Sequence, residues 1–303
     1  MRTHGLARLR RLAGRHSLVD GIPFQLPVRS EGTPALMAGF TVNADKAAPL
    51  LPGNELQLFR MGDRAVLIVT VVDYIITNIG RYIEFSIALG CTRGLQPAPP
   101  LLPLLLRGRY GLGQYVLDLP VSTEISVKGG KGIWGMPKHR ANLDFVVGER
   151  QVSSQYDCDG QLAMRVEIDR PAHTWIPLRA GAANYCEFRG LLMKSYIYFH
   201  GRGGISVGKA GAGRLYIGNH PRVAMLRDLE ISDRSLFTLF IPASAGDLDD
   251  YFESWFLSYD TPPQRPPEGL ESVVDLSLDE TWLPPPSAPY DGPGVLRVGV
   301  DGR

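Results

Sequence analysis

The chain has 303 residues, 44% of them hydrophobic, and its 32 basic and 31 acidic side chains leave a net charge of +1. This is the composition of a globular chain of one large or two modest domains; it excludes a disordered chain and offers no basic face for a nucleic-acid or anionic-membrane partner. The cysteines, Cys91, Cys158 and Cys186, have neither disulfide-framework nor metal-ligand spacing and fit a reducing, cytoplasmic setting, and the longest apolar run, residues 65–72, is far too short to span a membrane.

Arg2, Arg8, Arg10, Arg11 and Arg15 precede the first acid, Asp20. Residues 1–20 therefore read as a basic arm, either an amphipathic targeting peptide or a short surface helix carrying Leu6, Leu9 and Leu12. A single domain is expected over 21–260, built mostly from strands. Asn43 is placed to cap a short helix over 45–51. Residues 64–72 form an almost unbroken β-branched run, suited to a strand buried on both faces. Strands are also expected at 82–89, 114–119, 143–147, 191–198 and 236–241. Asp159-Gly160 is a hairpin signal between 152–158 and the cleanly alternating 161–168. A flexible loop is expected over 201–213 and a helix start at Pro221. The strongest helix pattern is 247–257, where Leu248, Tyr251, Phe252 and Trp255 recur at helical spacing behind three acids. Nine prolines after Asp260 mark 261–303 as an extended tail, with alternating pieces at 273–278 and 295–300.

Three motif matches fail on their own chemistry. Gly130-x-Gly132-x-x-Gly135 has the spacing of a dinucleotide fingerprint, which must open a helix, yet Pro137 follows at once. Gly203-x-x-x-x-Gly208-Lys209 lacks the hydroxyl residue of a phosphate loop, since Ala210 stands there. Gly204-x-Ser206-x-Gly208 has the form of a nucleophile elbow, but no acid lies between Ser206 and His220, the last histidine. The six histidines form no metal-binding pair.

The informative segment is Gly130-Lys131-Gly132-Ile133-Trp134-Gly135-Met136-Pro137-Lys138-His139. A lysine amine held among Ile133, Trp134 and Met136 is pushed by desolvation toward its neutral, nucleophilic form, which condenses with a ketone to a Schiff base. Bringing an amine from about 10.4 to neutrality requires roughly 4–5 kcal/mol of bias against the ammonium. Glu84, alone in an apolar strand, is the candidate proton-transfer carboxylate. On a strand, Lys138 and His139 would point to opposite faces.

Gly-x-x-x-Trp-Gly-Met-Pro-Lys-His resembles the lysine motif of the acetoacetate decarboxylase superfamily. Glu124, fourteen residues before Lys138, has a spacing the family also shows, Tyr82-Ile83-Glu84 resembles its active-site Tyr-x-Glu, and the series Arg214-Leu215-Tyr216, His220-Pro221, Asp228-Leu229 is similar to its last conserved stretch. The resemblance covers roughly residues 20–257. It implies an α+β, mostly antiparallel fold, a β-cone or closed barrel with few helices around an apolar cavity. It further implies a lysine imine in place of a cofactor, a small keto acid as substrate and a homo-oligomer. Lys138 and Glu84 become the catalytic pair, with Trp134, Met136, His139 and Glu124 around the pocket or supporting it. Two departures touch the charged part of a substrate. Thr41 stands where the family's decarboxylases carry a carboxylate-binding arginine, for which Arg29, Arg60 or Arg81 are the available substitutes. Gly130-Lys131-Gly132 replaces a Gly-Arg-Glu. The expected activity is decarboxylation of a β-keto acid; aldol–dehydration or cyclodehydration of a 2-oxo acid, and non-catalytic binding, are the alternatives.

Overall fold

The computed structural model describes residues 15–248 and 253–261. The expected helix through Leu6, Leu9 and Leu12 and the pieces at 273–278 and 295–300 lie outside the described residues. Seven long strands close on themselves. In spatial order they are Gly113–Val121, Ile176–Phe188, Leu191–Val207, Ser235–Leu248, Val28–Asn43, Arg64–Tyr74 and Tyr82–Arg93, and the last pairs again with the first. Six of these seams are antiparallel. The Gly113–Val121 strand lies parallel to Ile176–Phe188, setting Gln114 beside Asn184. Closure removes the two exposed edges that an open sheet would carry.

A second sheet of five strands, Asn142–Leu143, Val146–Val147, Gln151–Cys158, Gln161–Asp169 and Gly213–Ile217, is separate from the barrel in pairing. The main core lies between the two layers. Leu67, Val69, Val71, Phe85, Ile87 and Leu89 come from the barrel, and Val152, Tyr156, Met164, Val166 and Ile168 from the second sheet. Period-two alternation then sends Thr70, Val72, Tyr74, Glu84 and Ser86 to the barrel interior. The 64–72 run is thus a strand as expected, with one face in the core and the other on a cavity. Asp159 and Gly160, at φ 52° and 75°, make the expected tight turn.

Three expectations are corrected. Residues 201–213 are not one loop, because the Leu191–Val207 strand runs through half of them. Its glycines sit where other chain segments press close: a Cβ at Gly204 would stand 2.4 Å from His173 O, so they serve close approach rather than flexibility. The 247–257 helix is absent from the described residues there. Asp247 and Leu248 end a strand paired to Tyr198 and Ile197, and Glu253–Phe256 is a strand paired to Leu191–Lys194. Backbone partners on both flanks, and a Lys194–Glu253 ion pair at 2.7 Å, override the helical spacing of the side chains. Asn43 caps its short helix as expected, accepting from the backbone N–H of Asp45 and Lys46. Residues 143–147 contribute two short strands instead of one.

Candidate active site

Lys138 opens a three-residue strand, Lys138–Arg140, laid parallel to the Gly113–Val121 strand with Lys138 opposite Leu119. The preceding Glu124–Trp134 segment is an α-helix, which its glycines hide from sequence reading. The glycines are there for contact. A Cβ at Gly129 would meet Phe24, one at Gly132 would meet Val19, and one at Gly130 would stand 2.3 Å from Lys138 Cδ. Gly135, at φ 63°, stops the helix with its N–H on the Gly130 and Lys131 carbonyls, and Pro137 prevents its continuation. The glycine-spaced segment therefore ends a helix, whose negative pole would repel a phosphate. A hairpin, Arg15–Val19 with Ile22–Leu26, crosses the domain boundary expected at residue 20, and Val19 and Phe24 join Ile133, Trp134 and Met136 in a compact apolar cluster.

The Lys138 side chain is 2% exposed. Its Nζ donates to Glu84 Oε2 at 2.7 Å and to Ser126 Oγ at 3.0 Å, and lies 5.3 Å from the centre of the Tyr82 ring. Tyr82 and Glu84 share a face of their strand, and Tyr74 is the register partner of Tyr82. The two phenols stack at 4.6 Å. Tyr74 interacts with Tyr82 and Glu84, and Tyr82 with Ser126. Amine, serine, two phenols and carboxylate thus gather in one buried polar cluster, with Lys138 bonded to both Glu84 and Ser126. Burial first, and the Glu84 charge second, push both phenols well above their ordinary range, so they act as neutral hydroxyls. Cys186 is also buried nearby, and desolvation pushes its thiol up to about 12. It stays protonated at neutrality and does not compete as a nucleophile.

Glu84 and Met136 line a cavity of about 120 Å³ inside the barrel, together with Leu119, Val116, Ile241 and Phe199. A water occupies roughly 10–15 Å³ of such volume, so the space suits several waters or one small organic molecule. Lys138 itself stands just behind Glu84, away from the lining. The amine is therefore not surrounded by apolar groups alone, as the sequence suggests: a carboxylate separates it from the cavity.

His139 points the other way. Its Nε2 is 2.9 Å from Asp118 Oδ1, and the Tyr156 hydroxyl donates to Asp118 Oδ2 at 3.1 Å. A register shift between Ile87 and Ala88, where the neighbouring strand passes Asp118, turns this acid to the outer face with His139. Trp134 is buried in the cluster beneath the helix. Glu124 is exposed at the first turn of the helix and is not brought to the cavity. Its fourteen-residue separation from Lys138 spans the whole helix, so matching spacing does not mean proximity. Arg29, Arg60 and Arg81 each face an acid, Asp247, Asp45 and Asp73 respectively, at 3.5, 3.0 and 3.1 Å, and none lines the cavity. Sequence reading misses Ser126 and Tyr74; no spacing signal marks the serine, whereas Tyr74 ends the β-branched run on the cavity face.

Among the described residues, one other cluster has metal-ligand chemistry. Cys158, Asp159 and His220 bring one ligand atom each within 4.8 Å. His220 Nδ1 accepts the backbone N–H of Arg222 at 3.3 Å. Nε2 then carries the proton and faces Asp159 at 3.4 Å, which makes the group an anchor for the turn after His220 and not a ready site for a cation.

The family described as acetoacetate decarboxylase matches residues 15–182, more than half of the chain. No protein of curated function matches significantly. Among solved structures, an acetoacetate decarboxylase from Legionella pneumophila is similar with a TM-score of 0.54 and 14% identity, covering 74% of this chain and 85% of that one. A structure from structural studies of acetoacetate decarboxylase gives 0.56 and 13%, covering 82% and 97%. An acetoacetate decarboxylase-like enzyme from Sphingomonas wittichii gives 0.50 and 13%, covering 78% and 98%. At these identities the structural likeness is one of fold. Together with the residues matched by the family, it makes this chain a member of the acetoacetate decarboxylase family.

Proposed function

We propose that the protein is a Schiff-base lyase that decarboxylates a β-keto acid through Lys138. The observation that carries this reading is the buried Lys138–Glu84 contact at 2.7 Å in the wall of an apolar cavity. Transfer of an ammonium proton to Glu84 frees the amine to attack the ketone carbon. Glu84 returns that proton to the carbinolamine hydroxyl, which leaves as water and yields the iminium. The bond to the carboxylate then breaks, its electrons enter the iminium and CO₂ departs. The enamine takes a solvent proton at carbon, and water hydrolyses the product iminium to release the ketone and return Lys138 as its ammonium.

The cavity lining favours this reaction over aldol chemistry on a 2-oxo acid. Glu84 is the only charged residue among the lining residues. A 2-oxo acid would keep its carboxylate through every step without a counter-charge there. A β-keto acid loses that charge as CO₂, and a poorly solvated wall promotes the loss. The keto-acid ligand, the homo-oligomer and the cytoplasmic setting belong to the same reading.

Borohydride reduction in the presence of acetoacetate tests it. The expected result is a mass increase on Lys138, absent in Lys138→Met, and CO₂ release that falls about 10²–10⁴-fold in Glu84→Gln. Absence of an adduct with any β-keto acid would overturn the proposal. An adduct without CO₂ release would support the aldol alternative instead.

A further inference from the structure

We infer that the barrel interior beyond the amine holds a neutral hydrogen-bonding subsite, formed by Gln114 and Asn184. It selects β-keto acids that carry an uncharged hydroxyl, carbonyl or amide at the end remote from the reacting ketone. The inference rests on the Schiff-base reading and deepens it by naming the substrate class.

Gln114 and Asn184 face each other across the one parallel seam that closes the barrel, and both line the cavity. Gln114 Nε2 donates to Asn184 Oδ1 at 2.8 Å. That bond fixes both amides and leaves Gln114 Oε1 free to accept and Asn184 Nδ2 free to donate, with no other protein partner for either among the described residues. The pair therefore keeps one acceptor and one donor uncommitted at the cavity, the complement of a hydroxyl or an amide. Gln114 is five residues from Leu119, the register partner of Lys138. At about 3.3 Å per residue this places the pair some 16 Å along the wall, less the reach of the two side chains. A substrate bonded to Lys138 and touching the pair is thus longer than acetoacetate.

The lining also discriminates against two neighbouring classes. No lysine, arginine or histidine is among the lining residues, so a second carboxylate would be desolvated without a partner. A plain alkyl end would cover the amide pair and leave it unsatisfied, the kind of mismatch that polar sites reject strongly.

The test compares three β-keto acids with the full-length protein: an unbranched six-carbon acid, its analogue with a hydroxyl near the far end, and its analogue ending in a second carboxylate. The readout is the concentration that gives half-maximal borohydride trapping on Lys138. The hydroxylated acid is expected to half-saturate at a concentration at least ~10-fold below the alkyl acid, with the dicarboxylate weakest. The near-isosteric Gln114→Met and Asn184→Leu variants are expected to bring the hydroxyl-to-alkyl ratio close to one. Equal trapping of hydroxylated and alkyl acids by the unaltered protein would overturn the inference and leave the Schiff-base reading intact. So would a dicarboxylate that binds best, or a ratio unchanged in both variants. Trapping of none of the three would overturn the Schiff-base reading, and the subsite with it.

Discussion

A Cβ at Gly130 would stand 2.3 Å from Lys138 Cδ and 2.7 Å from Cε. The helix before the lysine thus passes directly over its aliphatic stem, and only a hydrogen at position 130 lets the amine lie where Glu84 and Ser126 receive it. Gly130→Ala should leave the fold intact, because the atoms in the way belong to a side chain that can swing and alanine favours the helix by about 1 kcal/mol. Imine formation should fall by about 10²-fold, since a nucleophile misplaced by an ångström loses most of its advantage. Borohydride labelling beside a circular-dichroism melt measures both; labelling at the unaltered rate would mean that the glycine has no part in aiming the amine. Residue by residue, legibility tracks local chemistry. Lys138 is readable because apolar residues and a proline crowd it in sequence, and Glu84 because a lone acid in an apolar strand has few reasons to be there. Ser126 and Tyr74 are not, because their relation to the amine exists only after a helix and two strands have converged.

The parallel seam between Gly113–Val121 and Ile176–Phe188 is the element on which closure of the barrel depends, and Gly113 sets its spacing. A Cβ there would meet Ala183 O at 2.6 Å and Tyr185 Cε2 at 2.8 Å. Unlike the Gly130 case, the first of these atoms is backbone and the second belongs to a fully buried ring, so neither can step aside cheaply. Gly113→Ala is expected to destabilise the protein by about 1–3 kcal/mol, the usual effect of overpacking, and denaturant titration would read it. An unchanged midpoint would show that the seam tolerates separation. Elements are legible where one face meets solvent or core at a regular period, as in Gln161–Asp169 with its Asp159-Gly160 turn. They are hidden where tertiary contact overrides local preference. Three glycines disguise the Glu124–Trp134 helix, although Gly135 followed by Pro137 is a stop signal that points to it. The spacing of Leu248 and Trp255 imitates a helix in a segment whose two ends both pair with the Leu191–Val207 strand.

At the scale of the whole molecule, the cavity keeps its shape because a second sheet braces the outside of the same wall. That sheet is itself fastened by charge. Glu167 Oε1 accepts from Arg165 at 2.7 Å and Oε2 from Arg214 at 3.1 Å, and Arg214 reaches on to Asp169 at 3.1 Å. Burial alone would raise the Glu167 carboxyl, but hydrogen bonds from Arg214 and Arg165 outweigh it and hold the group below its ordinary 4.5. Hydrogen bonds from Ser258 likewise outweigh burial at Glu55 and hold it low. A carboxyl depressed by folding stabilises the native state above its unfolded pKa, and that contribution is lost as pH falls through the lower folded value. Glu167→Gln should therefore cost about 1–2 kcal/mol at neutral pH, between the values for exposed and buried pairs. The gap between variant and unaltered protein should close progressively as the pH drops below 4.5. Thermal melts across that range read the difference directly. A gap that stays constant into acid would mean the variant suffers from lost packing and not from lost charge, and the brace would then be steric.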